Sequence, residues 1–314
     1  MYSMNQINKI LNLEDIITTY KNGIPNSQLF KLKKIWIPFI NNSKNMAELA
    51  YLIGKITGDG HLSKSFVPIF IGQKEDILNL KKLIIQKFPL SSKIFSVESR
   101  LSKGLSYRLS VHNCLLGRVL SSLGAPKGKK TEMNFDIPNW IINNAECTKY
   151  YLQAIFEDEL STIKISKKYH STKPRFKLAK HPNKLQNLKE YFEQLKIMLK
   201  RLDIDTSEIA YSPGIKLERK YPCLYFDICR NKKNIIKFGK EVGFKIHSKK
   251  IRHLKKCLVI LKKTEFNRKP TINVSKIMAL RKKGLTIRQI SKKIPLNRSS
   301  VHRVLKKHDV REGI

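Results

Sequence analysis

Leu49 to His61 reads LAYLIGKITGDGH, and how this stretch folds decides the rest of the molecule. Taken as a helix, it sets Leu49, Leu52, Ile53 and Ile56 on one stripe, at the i, i+3, i+4, i+7 spacing of an amphipathic helix. Gly54 and Gly58 fall one turn apart on a common side. A glycine inside a helix costs roughly 1 kcal/mol relative to alanine, so a pair of them implies close approach of a second backbone. The helix is expected to end at Asp59-Gly60, with Gly60 carrying the chain out through a positive φ angle. Asp59 then lies at the negative pole of the helix dipole, a position that favours a bound cation beside the carboxylate.

Such a helix needs a partner, and Tyr151 to Glu159, YLQAIFEDE, repeats its pattern. Leu152, Ile155 and Phe156 form the stripe, and Glu159 follows Leu152 by seven residues, as Asp59 follows Leu52. Two such helices side by side bring two carboxylates together at one end. That arrangement can hold divalent metals for phosphodiester hydrolysis. Asp158, next to Glu159, leaves the register open: the apolar spacing favours Glu159 as the ligand, with Asp158 as the alternative.

LIGKITGDG and LQAIFEDEL resemble the two motifs of the LAGLIDADG homing endonuclease family, in its two-motif, monomeric form. The second copy has Ala154 for the usual packing glycine and Leu160 for the glycine after the acid. The resemblance implies a pseudo-two-fold α/β tandem repeat of αββαββα units. Two antiparallel sheets would form a saddle about as wide as a DNA duplex. It implies Mg²⁺ or Mn²⁺ as cofactor, with Asp59, Glu159, Gly58 and Asp158 in the metal set. It also implies a basic residue beyond the last helix of each repeat: Lys130 in GKK and Lys250 in HSKKIRHL, with Lys129 and Lys249 as alternatives. Gln73, in IGQKED, matches a position where the family orients water or substrate; a helix-capping role is the other reading. The catalytic set is therefore Asp59, Glu159, Lys130, Lys250 and Gln73. The family cuts both strands across the minor groove, and its sheets read the major groove.

Composition points the same way. The 314 residues carry 63 Lys+Arg against 24 Asp+Glu, a net charge of +39 spread along the chain, which suits a nucleic-acid partner. An AT-rich genome would explain the lysines but less well the scarcity of acids. No stretch has the ~20 apolar residues of a membrane span. The polar first residues show no secretory signal. Five cysteines (114, 147, 223, 229, 257), with no CxxC pair, read as reduced and intracellular, in cytoplasm, nucleoid or an organelle matrix. The two ends, Met1-Tyr2-Ser3 and Arg311-Glu312-Gly313-Ile314, lack the His-Asn end of an intein, so protein splicing is not expected.

The chain divides into an N-terminal helical arm (1–45), a first repeat (46–145), a second repeat (146–265) and a C-terminal domain (271–314). In the first repeat, strands are expected at 65–71, 93–97 and 106–112, with helices at 74–88 and 113–123. In the second, strands are expected near 161–168, 174–179, 209–211 and 224–229, with helices at 184–202 and 233–242. The arm reads as two short helices, a packing element or a vestigial helix-turn-helix. Residues 263–270 read as a polar linker.

The C-terminal segment 271–314 holds 12 Lys+Arg against 2 acids. Three helices are readable, at 274–283, 286–293 and 297–307, capped by Thr286 and Asn297 and turned by Pro295. LTIRQISKKIPLNRSSVHRVLKKH resembles the helix-turn-helix of resolvase-type DNA-binding domains. That resemblance would place Arg298, Ser299, Ser300, His302 and Arg303 against bases or phosphates.

The function expected from the sequence is site-specific double-strand DNA cleavage by a monomer that recognises a long site. Two alternatives keep the fold: an intron-splicing maturase whose partner is intron RNA, and a DNA-binding regulator that has lost cleavage.

Overall fold

The computed structural model describes residues 13–101, 105–164, 174–212, 221–263, 274–294, 296 and 298–309. It divides into two compact units, Met1–Ile260 and Leu261–Ile314. The first is mixed α/β, with helices and two antiparallel sheets.

The arm comprises α1 (Leu13–Ile17), α2 (Asn26–Lys31), a π-helical turn (Leu32–Trp36) and α3 (Ile37–Ile40). Ser122 donates to the Asp15 carbonyl (3.0 Å) and Arg118 to the Thr19 hydroxyl (2.9 Å), so the arm is tied to the main body of its unit. The motif helix α4 (Ser43–Thr57) starts at Asn42, whose side chain accepts the Lys44 N–H. All residues from Met46 to Thr57 are buried, not a single stripe as expected. The polar members of that run, Glu48, Lys55 and Thr57, therefore need internal partners.

Its partner is α8 (Ala145–Glu159), capped by the Asn144 side chain. Close backbone approach holds at Gly54 but not at Gly58, where the neighbour is the Asp158 side chain: a Cβ on Gly54 would sit 2.8 Å from both the Ala154 Cβ and the Tyr151 carbonyl oxygen. One on Gly58 would lie 2.5 Å from Asp158 Oδ2. Gly54→Ala should therefore lower stability by about 1–3 kcal/mol despite alanine's better helix propensity, because a backbone carbonyl cannot swing aside. Thermal melting checks this; an unchanged or higher midpoint would contradict the packing. Gly60 corrects the sequence reading. It is not in the positive-φ region. It is required because a Cβ there would meet the Lys55 carbonyl oxygen at 2.6 Å.

After α4 the chain forms β1 (His61–Leu62) and β2 (Pro68–Gly72). The strand expected at 65–71 is thus broken by a turn, with Phe66 at φ 60°. Then come α5 (Lys74–Lys87), β3 (Phe95–Leu101), β4 (Leu105–Val111) and α6 (Cys114–Ser122), which Gly124 closes at φ 103°. The sheet order is β1-β2-β4-β3, all antiparallel, with Ile69 opposite Ser110 and Val97 opposite Leu109. A short helix, α7 (Asn139–Ile142), precedes α8.

Beyond α8 come β5 (Arg175–Ala179), α9 (Leu185–Arg201), β6 (Ala210–Tyr211), β7 (Cys223–Asp227) and α10 (Lys232–Glu241), with sheet order β5-β7-β6. Phe176 and Phe226 stack at 5.3 Å between centroids, and Phe156 and Phe192 pack edge-on to Phe176, so this sheet's inner face is an aromatic core. Of the strand expected near 161–168, residues 161–164 are not extended into one; 165–168 lie outside the described residues. HSKKIRHL opens a long helix, α11 (Ser248–Lys263), which the sequence reading had not drawn. Most of the linker expected at 263–270 lies outside the described residues.

The second unit holds α12 (Val274–Lys282), α13 (Ile287–Lys293) and α14 (Arg298–Asp309) around Ile277, Ile290, Ile294, Val301 and Leu305. Thr286 and Gln289 form a capping box at α13, and Gly284 adopts φ 77°. Pro295 and Asn297, read as turn and cap, lie outside the described residues. Among the described residues no helix is long and apolar enough to cross a membrane.

Candidate active site

The ends of α4 and α8 meet. Asp59 follows the last turn of α4, Glu159 closes α8, and Asp158 lies against Gly58. The Asp59 N–H donates to Asp158 Oδ2 at 3.1 Å. The charges report the crowding. Loss of solvation, then Asp59 and Asp158, push the Glu159 carboxyl up to about 8, against the pull of Lys130 and Lys250. Asp59 is likewise raised, by desolvation and by Asp158, although it keeps solvent contact. Asp158, read from sequence as the alternative to Glu159, thus stands near Asp59 together with it.

The helix-end cations are, in the first instance, lysines. Lys130 Nζ donates to the carbonyls of Ile56 (2.8 Å), Thr57 (3.0 Å), Gly60 (2.7 Å) and Gly58. Lys250 Nζ does the same at α8, to Phe156 (3.4 Å), Asp158 (3.3 Å) and Glu157. Each ammonium satisfies carbonyls that a helix C-terminus leaves open, at the dipole's negative pole. Burial lowers both lysines and the carboxylates counter it. Their neighbours are placed differently: Lys129 pairs with Glu132 and Lys249 is exposed. The Gly58 carbonyl, named for the metal set, is occupied by Lys130.

Two clefts flank the acids. One, of about 190 Å³, is lined by Asp59, Asp158, Lys55, Gln73 and His247. Gln73 stands before α5 without capping it, which leaves its side chain for the cleft. The other, of about 460 Å³, is lined by Glu159, Lys130, Thr131, Lys177 and Lys180.

Several residues escaped the sequence reading. Lys55, buried inside α4, pairs with Asp158 across the helix interface; burial alone would lower it, but Asp158 and Glu157 raise it. Glu157, fully buried, accepts from the Tyr51 hydroxyl and from the N–H groups of Ile246 (2.6 Å) and Lys245. It thereby anchors the turn leading to Lys250. A lysine and a tyrosine within an apolar motif helix were the available signal. Leu160, the departure from the glycine pattern, is buried and bridged antiparallel to Phe176, so it serves the core. In the second unit, Arg298, Ser299, His302 and Arg303 lie on the exposed side of α14, and Ser300 is half-buried.

No protein-family model matches the sequence. The chain is 30% identical over 216 residues to the DNA-directed RNA polymerase subunit Rpo1N of Methanocaldococcus jannaschii, a match covering 64% of this chain and 16% of that protein. It is 25% identical over 210 residues to the tRNA-splicing ligase RtcB of Pyrococcus abyssi, covering 62% and 23%. With the replication factor C small subunit of M. jannaschii the figures are 25% over 245 residues, 73% and 13%. The chain thus spans less than a quarter of each of these relatives. Among solved structures, its fold is similar to that of the homing endonuclease I-WcaI bound to its DNA recognition sequence, at 17% identity and TM-score 0.44, covering 72% of this chain and 93% of that one. It is also similar to the homing endonuclease I-DmoI in complex with DNA and Ca, at 14% identity and TM-score 0.39, covering 63% and 89%.

Proposed function

We propose that this chain is a site-specific, metal-dependent endonuclease that cuts both strands of a DNA duplex, acting as a monomer built from two LAGLIDADG-type repeats. The observation that carries the reading is the convergence of Asp59, Asp158 and Glu159 at paired helix ends, flanked by Lys130 and Lys250. Carboxylates raised by lost solvation and by neighbouring acids, as Asp59 and Glu159 are, gain from a cation beside them. Among the described residues no three His, Cys, Asp or Glu side chains are grouped so as to hold a metal ion. One or two carboxylates per ion suit Mg²⁺, which completes its shell with water and phosphate oxygens.

Asp59 and Glu159 would hold the ions. A bound divalent ion would lower the pKa of the attacking water and offset charge on the phosphate. Asp158, fixed by Lys55 and the Asp59 N–H, positions Asp59. Lys130 and Lys250 add positive charge beside each reacting phosphate, and Gln73 orients water in the first cleft. The basic sheets bind the duplex on either side.

Cleavage of a randomised duplex pool with Mg²⁺, followed by sequencing of the products, tests the reading and gives the target. Recovery of no specific cut site, with binding retained, would favour the regulator. Rescue of splicing of an intron transcript would favour the maturase.

The Leu261–Ile314 unit is read as a helix-turn-helix that lengthens the recognised site, with α14 in the major groove. Replacing Arg298 and Arg303 together by alanine should weaken binding roughly 10- to 100-fold and lower the salt dependence of the affinity by about one ion per arginine lost from phosphate. Anisotropy titrations across KCl concentrations measure both; an unchanged salt slope and affinity would remove α14 from the interface.

A further inference from the structure

Lys180 is a buried charge that the reaction as described does not use. It is 1% exposed. Its ammonium donates to Asn187 Oδ1 and lies 3.9 Å from the centre of the Phe135 ring. The carboxylate that offsets it, Asp136, is reached only through Asn187, whose Nδ2 donates to Asp136 Oδ1 at 3.1 Å. Lys184 adds a like charge, and burial brings the Lys180 amine down to about 8. An amine held this way costs stability, since its hydration is lost and its contacts are neutral. Asn187 does not need it, because the same oxygen accepts the Phe135 N–H at 3.0 Å.

The position in the fold says what it could do. β2 ends at Gly72 and is followed by Gln73, which lines the cleft beside Asp59. β5 ends at Ala179 and is followed by Lys180, which lines the cleft beside Glu159. That second cleft is also lined by Lys130, Lys177 and Thr131, so three lysines border about 460 Å³ of space with Glu159 as its carboxylate.

We infer that Lys180 is the phosphate-positioning residue of the second cleft, where it meets the backbone phosphate of the strand cut beside Glu159. The inference rests on the nuclease reading for the identity of that phosphate, but not for the anion site itself. An entering phosphate supplies a direct counter-charge, which Asp136 gives only at one remove through Asn187, by a charge-assisted hydrogen bond.

Lys180→Met and Lys180→Gln, in the full chain, test it. Without ligand both variants should melt at or above the wild-type temperature, because a costly buried amine has been removed. Inorganic phosphate should raise the melting temperature of the wild type but not of Lys180→Met. On a duplex with each strand separately labelled, cutting of one strand should slow roughly 10- to 100-fold, the loss expected for one charged hydrogen bond. The other strand should keep its rate, so a nicked product accumulates. Equal slowing of both strands, no slowing, or phosphate protection that survives the Met substitution would overturn the inference. A wild type that cuts nothing, yet shows phosphate protection that depends on Lys180, would instead sink the nuclease reading and leave the anion site standing.

Discussion

Asp59→Asn is expected to abolish double-strand cleavage while leaving duplex binding nearly unchanged. Asparagine keeps the shape of the side chain, and the contact to Asp158 is made by the backbone N–H of residue 59, which the substitution preserves. What is lost is the charge that would hold a divalent ion against the phosphate. Several kilocalories per mole of charge stabilisation depend on it, so the rate should fall by at least about a thousandfold. Binding depends on the summed basic surface, and removing one acid from a chain of net charge +39 hardly alters it. The Asp59 carboxyl is already raised by desolvation and Asp158, so a neutral side chain should also fold at least as well. Conversion of supercoiled plasmid carrying the selected site to linear form, with binding measured in Ca²⁺, gives both readouts. Linear product formed at the wild-type rate would remove Asp59 from the chemistry.

The second large effect concerns stability and pH. Glu159 titrates at about 8 in the folded chain, against an ordinary glutamate value of 4.5. Between those values the folded protein keeps a proton that the unfolded chain has released. Stability therefore falls as pH rises through that window, by up to about 1.4 kcal/mol per unit crossed. Below pH 4.5 both states are protonated and the penalty vanishes. Glu159→Gln, neutral throughout, should melt several degrees above the wild type at pH 8 in EDTA, and the gap should close towards pH 4.5. Mg²⁺ should raise the wild-type melting temperature at pH 8 by more than that of Glu159→Gln, which keeps only the Asp59 carboxylate, since ligand binding to the folded state alone stabilises it. A gap independent of pH would mean that neither burial nor Asp59 and Asp158 raise the Glu159 carboxyl. The same variant should lose cutting of the strand on its side.

The sequence and the structure divide the explanation in a consistent way. Periodicity located α4 and α8, both motif glycines at the helix interface, most strands to within a few residues, and the two acids that end matching turns. These features are local. A 3.6-residue repeat, a glycine where no side chain fits and an acid seven residues after a leucine can all be read along one chain. Lys130 and Lys250 were reached only through the family resemblance, since no periodicity separates one lysine among 63 Lys+Arg from another.

Tertiary structure alone decided the rest. Whether Asp158 or Glu159 stands beside Asp59 had no single answer in sequence: Asp158 accepts the Asp59 N–H, and Glu159 is close enough to feel the charge of both. Gly60 looked like a left-handed cap, yet it is needed because the chain doubles back onto the Lys55 carbonyl. Apart from the place of Lys55 in an apolar motif helix, Lys55, Glu157 and Lys180 carry no local sequence mark that sets them apart in a basic chain. They became buried groups because packing closed over them from segments some 50 to 100 residues away, such as Phe135 over Lys180 and α8 over Lys55. Burial and pairing are properties of long-range contact, and it is these that turn a common residue type into one with a costly charge and a chemical use.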